Sequence, residues 1–354
     1  MSELQMSMFY VFNNSFTLWP DAYECPQNMT TERFERPILG SFFLFVGIFF
    51  VTLYIPCFLV IMKKTPRNPV YQVMFALAFF DISSLCVNAI CAGVFDIFGI
   101  SFCNYPLLIY CLGSIATGSW ISGCLSCILL AIERCVEINS DFPLEFLFRK
   151  NVFPIVRILS FCFFIYTYSF TRPAVFSAHY SCWMFDPLIG KDPNLYFSWP
   201  HAINNIVVSI ATTVLYVYMS YRLIHKYGYS TSMWLYKTKR QILIQAISLC
   251  SFHTVAASLY IYMQLFPTTF VMLVVSQFLW QCSSGAVCLS YLFFNRTIRN
   301  SVLKMIIPKK TRQKFGLHIG VDEHLAVEIA AACVPAVVPG INASGGVIKF
   351  DNYL

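Results

Sequence analysis

Residues able to do chemistry are few in this chain and far apart. Asp81 stands inside an apolar run, LAFFDISSL, with Ser83, Ser84 and Asn88 near enough in sequence to satisfy a carboxylate. A neighbouring acid and base, Glu133-Arg134, close a second apolar run. Charge is costly in hydrocarbon, so an ionisable residue so placed marks either function or a paired structural role. Cys124-Leu125-Ser126-Cys127 has metal-ligand spacing, but no second ligand pair accompanies it, and thiols packed inside a helix are the simpler reading. His253 is alone on its helical face, and neither paired carboxylates nor an HExxH motif occur. No metal site, cofactor or enzymatic activity is expected.

The elements that must position these residues are membrane spans. The 354 residues are 58% hydrophobic and 12% charged, with mean hydropathy +0.64, about half the charged fraction of a soluble domain. A bilayer core needs roughly 20 apolar residues in a helix. Seven runs satisfy this: Pro37–Met62, Val70–Val94, Pro106–Ile132, Val152–Phe170, Ala202–Leu223, Gln241–Phe266 and Thr268–Phe294. Eighteen lysines and arginines fall on alternate connections and just after the last run, against only Arg33, Arg36, Arg172 and Lys191 on the other side. This bias puts the N-terminus outside and the C-terminus inside. The net charge of +7 thereby serves topology and contact with anionic lipid, not nucleic acid. Residues 1–36 are expected outside, 37–294 form the bundle, 295–307 follow as a juxtamembrane helix, and 308–354 form a cytoplasmic tail.

The first twenty residues have no basic segment, so the first span is expected to act as an uncleaved anchor. Asn13 and Asn28 head glycosylation tripeptides on the outer side; the matching tripeptides at Asn295 and Asn342 fall inside and should stay unmodified. Of 15 cysteines, only Cys25, Cys103 and Cys182 lie in outer segments. A bridge from Cys103 to Cys182 would pin the long connection after span four over the mouth of the bundle and leave Cys25 over. After the last span, Ile298, Val302, Met305 and Ile306 repeat at helical spacing opposite Arg296, Arg299, Asn300 and Lys304, a short amphipathic helix stopped by Pro308. Leu325–Ile341 is apolar but carries Glu328, Pro335 and Pro339, and reads as tail.

Polar stripes recur inside four spans. Tyr110, Ser114, Thr117 and Trp120 share one side of span three; Asn205, Ser209 and Thr212 do so on five, His253, Tyr260 and Gln264 on six, and Gln277, Gln281 and Ser284 on seven. Any one could be hydrogen-bonding glue between helices. Four stripes at similar depth point to a cavity. A transporter or channel is the alternative, but seven spans do not divide into equal repeats and only one acid lies midway in a span.

The runs LYIPCFLVIMKK (Leu53–Lys64), VYQVMFALAFFDISSLCVNAICAG (Val70–Gly93), FCNYPLLIYCLGSIATGSW (Phe102–Trp120), CLSCILLAIERC (Cys124–Cys135) and SYLFFNRTIRNSV (Ser290–Val302) resemble the nematode serpentine chemoreceptors of class T, the Srt family. That family is a branch of the seven-helix G-protein-coupled receptors. The resemblance implies an all-α, GPCR-like seven-transmembrane bundle in the plasma membrane, including the ciliary membrane of sensory neurons. It implies a small odorant- or pheromone-like ligand and a heterotrimeric G protein as partners. Asp81 occupies the place of the second-helix acid of rhodopsin-like receptors, Glu133-Arg134-Cys135 that of their Asp/Glu-Arg-Tyr switch, and Cys103 and Cys182 that of their outer disulfide. Tyr291 is kept from the seventh-helix element, whose Asn and Pro are missing from GAVCLSYLFF.

Overall fold

The computed structural model describes residues 2–30, 33–227, 233–315 and 319. Seven long helices dominate: α1 (Pro37–Lys64), α2 (Pro69–Ile97), α3 (Pro106–Ile138), α4 (Phe153–Phe170), α5 (Trp199–Tyr227), α6 (Met233–Leu265) and α7 (Phe270–Phe294). Six of them, all but α6, are long and apolar enough among the described residues to cross a membrane. Helices α1 to α4 each carry proline in the first turn, where its missing N–H costs nothing. Asn68 caps α2 by accepting from the Val70 amide (2.9 Å), and Lys63 and Lys64 sit at the negative end of the α1 dipole.

Helix α3 is central and α4 peripheral, with 78% and 11% of their spans buried. The outward faces stay apolar: Phe45, Leu159, Phe161 and Val217 are all exposed. Such a surface is stable only against lipid. Inside, α1 and α2 touch backbone to backbone. A Cβ on Gly40 would lie 2.6 Å from the Gly93 carbonyl oxygen, and one on Gly93 2.6 Å from the Leu44 nitrogen. Small residues permit this approach, which dispersion then rewards. Helix α2 widens into a π-helical stretch at Cys86–Cys91 before continuing to Ile97.

One end of the bundle carries an antiparallel hairpin, β1 (Val175–Ser177) with β2 (Cys182–Met184), pairing Phe176 with Trp183. It lies against α3: a Cβ on Gly113 would fall 1.7 Å from the Ala174 oxygen, so only glycine fits. Short helical turns at Ser2–Gln5, Met8–Asn13 and Pro20–Tyr23 pack on the same end, burying Met6, Met8, Val11 and Tyr23. Tyr23 meets Tyr110 edge-on (5.1 Å), and Tyr196 donates to the Ala22 carbonyl.

The expected Cys103–Cys182 bridge does not form. Cys103 is bonded to Cys25, and Cys182 is a buried free thiol in β2, its pKa pushed up to about 12 by burial. The cause is the N-terminal segment. It folds back onto the bundle and brings Cys25 to a Cα separation of 5.7 Å from Cys103, while the hairpin register turns Cys182 inward.

Contacts divide the chain into Met1–Val302 and Leu303–Leu354. After α7, α8 (Arg296–Ile306) forms as the apolar spacing requires, with Ile298 and Val302 buried in the core beside Tyr54 and Tyr291. In the second unit Arg312 donates to the Ile307 carbonyl (3.1 Å). The Leu325–Ile341 stretch and Asn342 lie outside the described residues, as does the side chain of Asn28.

Candidate ligand cavity and charged switch

The hairpin end holds most of the predicted stripe residues, but not as one open site. Thr117, Trp120 and Tyr260 share the wall of a cavity of ≈ 10 Å³ with Ala174, Phe185, His201 and Trp280. That is room for about one water molecule. Trp120 donates to Asn205 Oδ1 (2.9 Å), lies flat on His253 (5.5 Å, 9°) and meets Trp280 edge-on (6.0 Å). Thr117 accepts from the Ala174 amide (3.1 Å), tying α3 to the hairpin. Phe185 and Tyr260 also face an outer chamber of ≈ 320 Å³, bounded by Trp183, Met263, Gln264 and Leu273.

The other stripe residues do structural work. Tyr110 is covered by Tyr23, and Ser114 bonds back to the Tyr110 carbonyl (3.0 Å). Gln277 and Gln281 both donate to the Asn88 carbonyl (2.5 and 3.1 Å) within the π-helical stretch of α2. A π-bulge shifts the carbonyl ladder, and here two glutamines of α7 satisfy the displaced oxygen. Gln277 also accepts from the Trp183 amide (3.4 Å). Ser209 buries its hydroxyl on α5 without joining the cavity wall.

Sequence reading missed His201, Trp280 and Phe185. Trp280 stands three residues after Gln277 on the same face of α7, a spacing that could have found it. His201 was assigned to a connection, although it opens α5 and meets Gln264 (2.9 Å). Phe185 follows β2, and no periodicity signals it. Asp96, also assigned to a connection, is instead fully buried in the last turn of α2.

Asp81 lies midway between the two ends. Its carboxylate accepts from the Tyr54 hydroxyl (2.7 Å) on α1, and Ser284 of α7 faces it. The expected local partners are otherwise engaged. Ser83 bonds the Phe79 carbonyl (2.8 Å), and Ser84 accepts from Asn88 (3.2 Å). On a helix those side chains reach backbone more readily than a neighbouring carboxylate, so the acid is satisfied from other helices.

At the far end Arg134 is held by two acids on its own helix, Glu137 (2.5 Å) and Glu133 (3.6 Å). Arg134 and Glu133 are largely buried, which strengthens the attraction between them, whereas Glu137 is open to solvent. Glu137 was not anticipated, although it sits at the favourable i+3 spacing. Tyr291 is fully buried, its hydroxyl without a hydrogen bond, within electrostatic reach of both Asp81 and Arg134. Nearby, Asn139 ties α3 to α5, accepting from Arg222 (2.8 Å) and donating to the Tyr218 hydroxyl (3.0 Å). Among the described residues no cluster of histidine, cysteine and acid could hold a metal.

A family model, the serpentine type 7TM GPCR chemoreceptor Srt, matches residues 6–315. The chain belongs to the Srt family. Serpentine receptor class T-55 of Caenorhabditis elegans is 24% identical over 293 residues, covering 80% of each chain. This Srt protein is therefore a multi-pass membrane protein of a chemosensory, GPCR-type receptor family.

Proposed function

We propose that this Srt protein is a plasma-membrane receptor that binds a small extracellular ligand at the hairpin end and signals to a heterotrimeric G protein at the Arg134 end. The hairpin end then faces outward with the glycosylation acceptors Asn13 and Asn28, and the basic connections and tail of residues 308–354 face the cytoplasm. Ciliary membranes of sensory neurons are the expected location.

One observation carries the reading: the two ends hold opposite kinds of chemistry on one bundle. Aromatic walls around a chamber suit capture of a small apolar molecule. A guanidinium held by two acids suits release to a new partner when helix ends separate. Arg134 is the G-protein contact, Glu133 and Glu137 its resting partners, and Asp81 with Tyr291 the polar link between the ends. A ligand favouring one packing of the helices shifts the population toward it.

The test is a panel of volatile and pheromone-like compounds applied to cells expressing the protein with a calcium or cyclic-nucleotide reporter. Ligand-evoked signalling supports the receptor reading. Solute flux without signalling would replace it with transport.

A further inference from the structure

Three hydrogen-bond donors at the hairpin end are buried with no oxygen or nitrogen accepting from them. The Trp280 indole N–H and the Tyr260 hydroxyl belong to residues that line the inner cavity, and the Trp183 indole N–H to one on the wall of the outer chamber. All three side chains are more than nine-tenths buried. The Cys182 sulfur, a weak acceptor, is within reach of the Tyr260 hydroxyl, but no bond of full hydrogen-bond geometry satisfies that hydroxyl. Burying a polar group unpaired is costly, so such donors gathered at one end of the bundle are an expensive arrangement unless something completes them. Tyr260 and Phe185 belong to both linings, so these side chains border both spaces.

The remaining polar groups are engaged or peripheral. His201 is in contact with Gln264 and Asn205, and Thr117 accepts from the backbone. The Gln264 carbonyl oxygen is the one buried acceptor left over on the outer wall. Asp186 supplies the chamber's carboxylate, at its partly exposed rim, and it accepts from the Leu188 amide (2.8 Å). No lysine or arginine lines either space. The lining is thus rich in donors, poor in acceptors, aromatic and uncharged at depth.

We propose that the ligand is a small uncharged molecule with an exposed acceptor oxygen, a ketone, aldehyde or ester, whose oxygen takes the Tyr260 and Trp280 donors while its alkyl part fills the outer chamber. Entry requires the Phe185 and Tyr260 side chains to turn aside. A hydrocarbon of the same shape leaves all three donors unpaired, and an ammonium group brings further donors to the inner cavity, whose wall carries no acid. This inference rests on the receptor reading only for the meaning of binding, not for binding itself.

Binding is therefore read directly, as thermal stabilisation of the full chain in lipid nanodiscs, with no signalling partner present. The probes are a homologous series of alkyl methyl ketones and esters, the matching alkanes and the matching primary amines. Ketones or esters of one chain length should raise the melting temperature, and alkanes and amines should not. Tyr260→Phe and Trp280→Phe should each weaken the best carbonyl probe about three- to tenfold. Without ligand, Tyr260→Phe should melt no lower than the parent, because an unpaired donor has been removed; a structural hydroxyl would give a loss. The assignment is overturned if no carbonyl probe stabilises the protein, if alkanes or amines do so equally, or if both Phe variants bind ketone with parental affinity. Carbonyl binding without signalling in cells would strike at the receptor reading alone.

Discussion

The hairpin end and the Arg134 end are cut from the same seven helices but filled in different ways. Around Trp120, Trp183, Tyr260 and Trp280 the interior is aromatic, enclosed by loop and N-terminal residues, and leaves indole and phenol donors unpaired. Toward Arg134 the core is largely aliphatic, with Leu77, Leu130, Val287 and Val302 around Tyr54 and Tyr291, and its strongest polar contacts close on themselves. Stability does not require the first pattern; a core of the second kind would serve better. The contrast separates an end arranged to receive a molecule from an end arranged to hold a charge in reserve. Asp81 and the Asn88 carbonyl, gripped from α1 and α7, tie the two together.

The contrast predicts which substitutions hurt most. The largest loss should come from the staple at the hairpin end. Cys25→Ser and Cys103→Ser remove a link across 78 residues, a stabilisation of about 4 kcal/mol in the chain-entropy account. Each should abolish most surface staining, and the double variant should be no worse than either alone. Cys182→Ala should cost about 1 kcal/mol. If Cys182→Ala proves as damaging as Cys103→Ser while Cys25→Ser is neutral, the N-terminal segment does not close this end.

Next in size is the packing of hairpin on α3. Gly113→Val pushes methyl groups into the Ala174 carbonyl and should lower stability by about 1–3 kcal/mol. It should weaken ligand binding more than it alters basal signalling, and measuring both in one preparation checks this. An equal effect on both would blur the division between the ends. In the middle, Tyr54→Phe strips Asp81 of its hydrogen bond and should cost about 1–3 kcal/mol in melting experiments, whereas Ser83→Ala should be nearly silent. At the far end, Asn139→Ala releases Arg222 and Tyr218 and is worth about 1 kcal/mol. It should raise basal reporter activity severalfold without changing ligand affinity; an affinity change with constant basal activity would reverse the assignment.

The long helices could be read from the sequence because hydrocarbon imposes one demand, length of apolar chain, that six of the seven meet alone among the described residues. Arg134 and Asp81 were visible for the same reason: charge inside an apolar run is conspicuous. Their partners were less so. Glu137 was within reach of a spacing rule, but Tyr54 lies 27 residues from Asp81 on another helix, and nothing local connects them. The cysteine pairing went to Cys25 because the Tyr23 and Met8 segment folds back onto the bundle, a tertiary event that spacing cannot report. Stripe residues were found by polarity, yet polarity cannot distinguish Gln277, which mends a π-bulge, from Tyr260, which faces a cavity. The informative wall residues Trp280 and Phe185 are aromatic, and aromatics are everywhere in this chain.

The most direct test of coupling between the ends is a paired measurement on Arg134→Ala and the parent protein at equal surface density. Binding of the best carbonyl probe should be unchanged within about twofold, since the guanidinium takes no part in the cavity, while the evoked calcium or cyclic-nucleotide response should fall to background. An Arg134→Ala receptor that reaches the surface, binds the probe and signals with parental amplitude would contradict the account.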